Sequence, residues 1–476
     1  MPTNSFFRRF FSSSAILILT QVGLLIACQP LETQVTEITI PSPTAVSAAS
    51  QSTTTFTLIP PTLTSPVQVT PSVTLVPSAT PLSIPATPYP EEWLAFVERD
   101  FRGRASHPNV SILDSADTTV SFIRQDGSGL LQPTMFEKFY TMVEYSLAWS
   151  PDGTHLLFDW SNFGSTMTRI PVIHVADPLR RRVTLVEPNR AWVLPSWSPD
   201  SEWFVASILT TITNQEGKEQ DTYSLFRMNS KTFQKDRITT STSSDLYPSW
   251  SPDSQWIAFL RFTPESLTPK PGTGTACGRI PDFYSGCNYA DLYITRRDGS
   301  DPELLLNSVY IHTDQYQRDS VYNSPSWSPD SKWLAVLTGT EQPDITLVNI
   351  ETGETHVLSP HPALDIYPTW SLDGSKLAFV SDREGNEEIY LISRDGSYLV
   401  NLTNNAGNDF NPVWSPSGHY LAFLSDREES RAYKIYVMNA DGTEPRKLHD
   451  GYVFTRPSWF PLIDVDVRTF FGFGSE

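Results

Sequence analysis

Cysteine is scarce: the 476 residues include three, at positions 28, 277 and 287. No CxxC or HExxH spacing occurs, so neither a thiolate cage nor a two-histidine helix motif is encoded for a metal. Histidine is equally thin, eight in all, and no GxSxG nucleophile elbow appears. The short segment after Trp459 is not expected to hold a hydrolase domain. Basic residues are outnumbered, 34 Lys and Arg against 53 Asp and Glu, which sets the formal net charge at −19. Nucleic acid partners call for a concentrated basic surface, so that class is excluded, and no motif asks for a cofactor or metal. The apolar run Ala15 to Ala27, broken by Thr20 and Gln21, is too short to cross a bilayer comfortably.

That run is an export address instead. Arg8 and Arg9 precede it and "LLIACQP" ends it, the order of a secretory signal. Leu25, Ile26, Ala27 and Cys28 resemble the bacterial lipobox, which implies a signal peptide over 1–27, cleavage before Cys28 and acylation of that cysteine. Two or three acyl chains would hold the protein stably at a membrane. The expected location is the bacterial cell envelope, outside the cytoplasm and lipid-anchored. In that setting Cys277 and Cys287, within "CGRIPDFYSGC", are expected to form a disulfide that staples their loop by roughly 2 to 3 kcal/mol.

Proline is as abundant as cysteine is rare, 39 against 23 glycines. It crowds into residues 28–90, where Pro, Thr and Ser alternate with small apolar residues and lysine and arginine are missing. Such a segment cannot bury enough surface to offset its ordering entropy, and it is expected to be a disordered, partly polyproline-II stalk.

The rest is built on a repeat. Near-copies of "PSWSPDSKW" centre on Trp149, Trp197, Trp250, Trp327, Trp370 and Trp414, with a degenerate "RPSWF" at Trp459. Their spacings of 48, 53, 77, 43, 44 and 45 residues signal a propeller or solenoid with one long insertion. In "SPDG", Ser150 to Gly153, serine opens a type I turn, proline presets the second position and glycine closes the fourth. Ser201, Ser254 and Ser331 stand at that glycine position, a cost of about 1 kcal/mol each if the backbone there is left-handed. Leu372 and Ser417 are further departures. After each turn comes a consecutively apolar strand, as in Leu377 to Phe379, which implies burial on both faces. Asp298-Gly299, Asp395-Gly396 and Asp441-Gly442 mark a second hairpin. Four strands per repeat at this period describe propeller blades.

"EEWLAFVERD", Glu91 to Asp100, matches the second strand of a blade yet has no "WSPD" before it, while "RPSWF" is a first strand without its turn. Pairing them closes the ring. The expectation is an all-β, seven-bladed propeller over 91–463, with four-stranded antiparallel blades, one of them shared between the N- and C-terminal strands, and a tail at 464–476. The stretch "YPTWSLDGSKLAFVSDREGNEEIYLISRDGSYLVNLT", residues 367–403, resembles the repeat of TolB-like propellers, and the resemblance extends roughly from Trp93 to Phe460. It implies a periplasmic or extracellular binding propeller. Propeller domains of prolyl oligopeptidases and oligogalacturonate lyases are similar too.

Antiparallel order puts the tight turns on one rim and the other loops on the opposite rim, where the long segments 208–222, 261–290 and 307–324 gather. Long loops on a rigid scaffold carry binding. The blade from Trp250 contributes Phe283, Tyr284, Tyr289, Tyr310, His312, Tyr316 and Tyr322, aromatic or amphipathic side chains suited to a protein or polysaccharide surface. The competing reading is that they only pack the loops onto the ring. The runs Ser381 to Glu384 and Ser425 to Glu428, both "SDRE", could offer carboxylates to a cation, but turn hydrogen bonds and surface ion pairs are the expectation. The function expected is binding or scaffolding without catalysis. A metal-dependent polysaccharide lyase of the oligogalacturonate type, or another propeller enzyme, is the alternative; the lyase would need histidines such as His155, His312, His361 or His419 to converge.

Overall fold

The computed structural model describes residues 91–100, 117–132, 147–163, 169–177, 182–187, 191–213, 217–263, 278–280, 283–285, 289–312, 324–339, 342–453 and 455–461. The expected signal peptide, stalk and tail, with Cys28, Cys277, Cys287, Tyr316 and Tyr322, lie outside them.

Every element among the described residues is a strand, and the strands fall into seven four-stranded antiparallel sheets and one two-stranded hairpin. Two strands from the start of the chain, β1 (Trp93–Asp100) and β2 (Asp117–Arg124), belong to a sheet completed at the other end of the chain. Blade 1 is β3 (Leu147–Trp149), β4 (Leu156–Phe163), β5 (Arg169–Asp177) and β6 (Arg182–Glu187). Blade 2 is β7 (Ala191–Trp197), β8 (Trp203–Thr213), β9 (Glu219–Asn229) and β10 (Lys235–Arg237). Blade 3 has β11 (Ser244–Trp250) and β12 (Trp256–Phe262), then a small separate hairpin of β13 (Gly278–Ile280) and β14 (Phe283–Ser285). It ends with β15 (Tyr289–Arg296) and β16 (Glu303–Tyr310).

Blade 4 runs β17 (Ser326–Trp327), β18 (Trp333–Thr338), β19 (Asp344–Asn349) and β20 (Thr355–Val357). Blade 5 is β21 (Asp365–Trp370), β22 (Lys376–Ser381), β23 (Glu388–Ser393) and β24 (Leu399–Asn401). Blade 6 is β25 (Asp409–Trp414), β26 (Tyr420–Ser425), β27 (Lys434–Asn439) and β28 (Arg446–Lys447). Blade 7 is the shared one: β1 pairs with β2 on one side and with β29 (Tyr452–Val453) and β30 (Ser458–Trp459) on the other.

The consecutive apolar residues of each second strand are buried as their pattern predicts. Phe96, Phe158, Phe259, Phe379 and Phe423 share one register, two residues beyond the position opposite the repeat tryptophan, and all are fully buried. The tryptophans join blade to blade. The indole N–H of Trp197, Trp327, Trp370, Trp414 and Trp459 donates to the carbonyl of the residue just before the tryptophan of the preceding blade, at 3.0 to 3.2 Å. Trp149 meets Phe460 edge-on at 4.7 Å, which joins blade 1 to blade 7. Trp250 breaks the pattern: its backbone N–H donates to Ser196 Oγ, while its indole nitrogen is buried without a partner among the described residues.

The turn chemistry is realised in detail. Gly153, Gly374 and Gly418 have φ of 67 to 74°, and Ser201, Ser254 and Ser331 adopt the same left-handed backbone at 58 to 60°. Two of these serines have a compensation that glycine lacks. Ser201 Oγ accepts the Asp152 N–H at 2.9 Å and Ser331 Oγ accepts the Asp253 N–H at 3.0 Å, each from the turn of the preceding blade. A hydrogen bond of about 1 kcal/mol is comparable to the conformational cost. Blade 7 has no such turn, and there Glu92 Oε1 accepts the Ser417 N–H of blade 6 at 2.9 Å.

Candidate functional site

The tight turns of the blades share one rim, two in each blade but the shared one, and the loops between second and third strands share the other with the interblade connections. On that second rim the blades are unequal in height. Pairing between second and third strands ends at Ser381↔Glu388 in blade 5 and Ser425↔Lys434 in blade 6, but continues to Phe163↔Arg169 in blade 1 and Thr213↔Glu219 in blade 2. Segment 208–222, expected as a loop, is therefore mostly the upper part of a long hairpin. Blade 3 carries the insertion with β13 and β14.

The aromatic candidates of blade 3 separate into groups. Phe283 and Tyr284 lie on β14, opposite Ile280 and Arg279. Tyr289 and Tyr310 sit directly opposite each other on β15 and β16. Both are buried, 7% and 8% exposed, with rings edge-on at 5.7 Å. They pack the base of the insertion onto the sheet and offer no open contact area. His312 is half-buried, its ring edge-on to Tyr367 at 5.9 Å.

The most elaborate side-chain arrangement at this rim repeats in three blades. Asp365 opens β21 and is fully buried, and both its carboxylate oxygens accept from Arg383 Nη2, at 3.0 and 2.9 Å. The guanidinium also donates to Ser381 Oγ and Ser359 Oγ and lies over the rings of Phe379 and Tyr390. Blade 6 repeats this with Asp409, Arg427, Phe423 and Tyr436. Blade 3 repeats it with Asp245, Arg261, Phe259 and Tyr293. Burial raises the Asp365 and Asp245 carboxyls above the ordinary aspartate value, against the opposing pull of their arginines and neighbouring hydroxyls. In blade 6 the glutamate of "SDRE" completes the clamp, since Glu428 accepts the Tyr436 hydroxyl at 3.0 Å. Burial first, and Glu428 second, push Tyr436 up to about 12. In the two "SDRE" runs the carbonyls of Asp382 and Asp426 close local turns, accepting from the Gly385 and Glu429 N–H, while their side chains accept from the Leu364 and Asn408 N–H, and the arginines form buried ion pairs rather than surface ones.

A different carboxylate serves blade 7. Glu98 on β1 meets His449 Nε2 at 2.6 Å, and Ser121 Oγ donates to it at 2.7 Å. Burial raises this carboxyl, but the hydrogen bonds from His449 and Ser121 and the His449 charge outweigh that and hold its pKa below the usual glutamate value. Gly451 covers the pair: a Cβ there would collide with Glu98 Oε2 and His449 Nε2.

His155 and His419 flank tight turns, and His361 follows β20 with its N–H donated to Asp344. Among the described residues no group of three or more His, Cys, Asp or Glu is placed to hold a metal ion.

Residues 288–465 match the family model described as the TolB beta propeller domain. The Tol-Pal system protein TolB of Desulfosudis oleivorans is 28% identical over 144 residues, 30% of this chain and 30% of that protein. The protein TolB homolog of Chlorobium luteolum is 32% identical over 152 residues, 31% of this chain and 30% of that protein. The chain therefore spans under a third of the length of these curated relatives. Among solved structures, TolB from Acinetobacter baumannii is 15% identical with a TM-score of 0.43, covering 78% of this chain and 83% of that one. An oligogalacturonate lyase in complex with manganese is 14% identical with a TM-score of 0.48, covering 68% of this chain and 83% of that one. The paired sheets and the tryptophan ladder make the described chain a β-propeller, and residues 288–465 of it are similar to the TolB beta propeller domain.

Proposed function

We propose that the chain is an extracytoplasmic binding or scaffold protein of the cell envelope, held to the membrane by a lipid on Cys28, whose propeller receives a protein ligand on its loop rim. The observation that carries this reading is the unequal rim. Blades 1 to 3 carry long hairpins and an insertion, and among the described residues the tight-turn rim has nothing comparable. A rigid ring with one built-up sector is a scaffold for recognition. The curated relatives named for TolB and the Tol-Pal system favour a protein ligand over a cell-wall polysaccharide. On this reading a Cys277–Cys287 disulfide limits the entropy of the insertion before binding, and the β13–β14 hairpin with Phe283 and Tyr284 supplies contact area, while His312, Tyr316 and Tyr322 are proposed as further contacts.

A photo-crosslinking residue at 283 in intact cells should give one recurrent protein adduct, identified by mass spectrometry, and a crosslinker at 398 on the opposite rim should not give it. Equal labelling from both positions, or none from 283, would overturn the assignment of the rim. Turnover of a polysaccharide by the purified chain would support the lyase reading instead. For the anchor, mass spectrometry of the mature protein should find Cys28 first and acylated; a mature N-terminus elsewhere would refute it.

A further inference from the structure

The blade 5 turn, Ser371 to Gly374, departs from its relatives at one position. Five of the six repeat turns place proline second, as Pro151, Pro199, Pro252, Pro329 and Pro416, where its fixed φ presets the turn. Blade 5 has Leu372 instead. Leucine gives up that preset conformation, and 60% of the residue is exposed, the most of any large apolar residue among those described. A lone exposed leucine is ordinary on a protein surface, but one that replaces a favoured proline has no reason within the turn itself.

What stands beside Leu372 supplies a reason. The second residue of a turn leans on the glycine of the next blade's turn: a Cβ on Gly374 would lie 3.3 Å from Pro329 Cδ, and one on Gly418 would lie 3.5 Å from Leu372 Cβ. Leu372 is therefore set against the blade 6 turn, and that turn is where the chain enters the propeller. Ser417, next to Gly418, donates its N–H to Glu92 Oε1 at 2.9 Å. Glu92 is 1% exposed and exchanges two hydrogen bonds of 2.8 Å with Gln125 of blade 7, so the point of entry is held on both sides. The compact unit that contains the propeller begins at Pro85, and the residues from there to Glu91 read "PATPYP". Tyr89 precedes Glu92 by three residues, a reach of about 10 Å, enough to cross the one turn that separates Glu92 from Leu372. Pro90 biases Tyr89 toward extended backbone and Pro88 stiffens the chain ahead of it, so ordering this segment costs little entropy.

We propose that Leu372 is the docking point of the chain's own approach segment, Pro85–Pro90, with the Tyr89 phenol laid over Leu372 across the blade 6 turn. Tyrosine suits a rim contact, since its face covers apolar surface while its hydroxyl stays in water. The segment carries no charge, so the aspartates of the neighbouring turns do not repel it. Docking there ties the chain to blades 5, 6 and 7 before β1 begins. The inference is independent of the loop rim as a binding surface and of the lipid on Cys28.

The test uses the full chain. Benzoylphenylalanine at position 89 should crosslink, within one chain, to the peptide that holds Leu372. Leu372→Pro restores the residue of the other turns and should cut that yield at least fivefold, with a melt at or above the wild-type temperature. Carbene footprinting gives the reciprocal view: Tyr89→Ser should raise the labelling of Leu372 at least threefold and leave Tyr398, 51% exposed in the same blade, unchanged. Equal labelling of Leu372 in wild type and Tyr89→Ser overturns the proposal, as does a position-89 adduct whose yield Leu372→Pro leaves unchanged. An adduct that joins two chains and grows with concentration overturns it in favour of a second copy as the occupant. The footprint decides even if Leu372→Pro unfolds, because Tyr89 precedes the first strand of the propeller.

Discussion

Removing either half of the Asp365–Arg383 clamp should destabilise the ring, but with opposite pH behaviour. Asp365 is fully buried and the Arg383 side chain is 10% exposed, so each charge depends on the other. Asp365→Ala strands a guanidinium that cannot shed its proton. Deleting one partner of a buried pair costs about 3 to 5 kcal/mol, and because Ser381 and Ser359 remain as acceptors the lower end, about 3 kcal/mol, is expected. Arg383→Met strands a carboxylate, which has an escape: it takes up a proton. Burial already raises the Asp365 carboxyl, and loss of the guanidinium raises it further, so the cost of neutralisation shrinks as pH falls toward the unfolded value near 3.9. The sign follows from the folded pKa being raised, so stability is recovered as pH falls toward the unfolded value. Urea unfolding followed by tryptophan fluorescence at pH 7 and pH 5 should show the Arg383→Met deficit narrowing by more than 1 kcal/mol and the Asp365→Ala deficit not narrowing. Equal, pH-independent deficits would mean that the clamp is a packing device whose charges do not matter.

Glu98→Gln should lower stability by about 1.5 kcal/mol at pH 6, the scale of a hydrogen bond to a charged group. Because the folded pKa of Glu98 is depressed, the gap to wild type should close as pH falls below about 4, through the folded value, and a gap that stays constant in urea midpoints from pH 6 to pH 3 would refute the assignment. Deleting residues 455–476 removes β30, Trp459 and Phe460 and exposes one side of β1. Loss of a buried tryptophan alone costs about 3 to 5 kcal/mol, so the whole ring should melt at lower temperature; an unchanged melt would show that the blade does not depend on its C-terminal strands.

The ring was legible because its determinants are local. Turn residues, paired hydrophobic runs and the tryptophan spacing all recur within about 45 residues, and even the left-handed serines were marked by the glycine they replace. The clamps were not legible. Asp365 and Arg383 are 18 residues apart, on a first strand and in a later loop, and the same set recurs in three blades of seven with Arg261 displaced two positions toward the strand. Nothing in such a spacing separates a buried ion pair from two surface charges. Tyr289 and Tyr310 misled for a related reason: a tyrosine at the end of a strand next to an insertion looks like loop, and only the cross-strand pairing shows that its ring turns inward. The height of the blade 2 hairpin was hidden by threonine, which is polar enough to suggest a loop and β-branched enough to continue a strand.

Blade 7 also fixes how the ring bears load. The chain enters the propeller at β1, which is not an outer strand but is flanked on one side by β2 and on the other by β29 and β30. A pull applied ahead of residue 91 therefore acts along the axis of a strand bonded on both sides, and its hydrogen bonds are strained together in shear instead of being unzipped one at a time from an edge. The first and last described strands then resist the same force, and the seam that completes the circle is where the pull enters the ring.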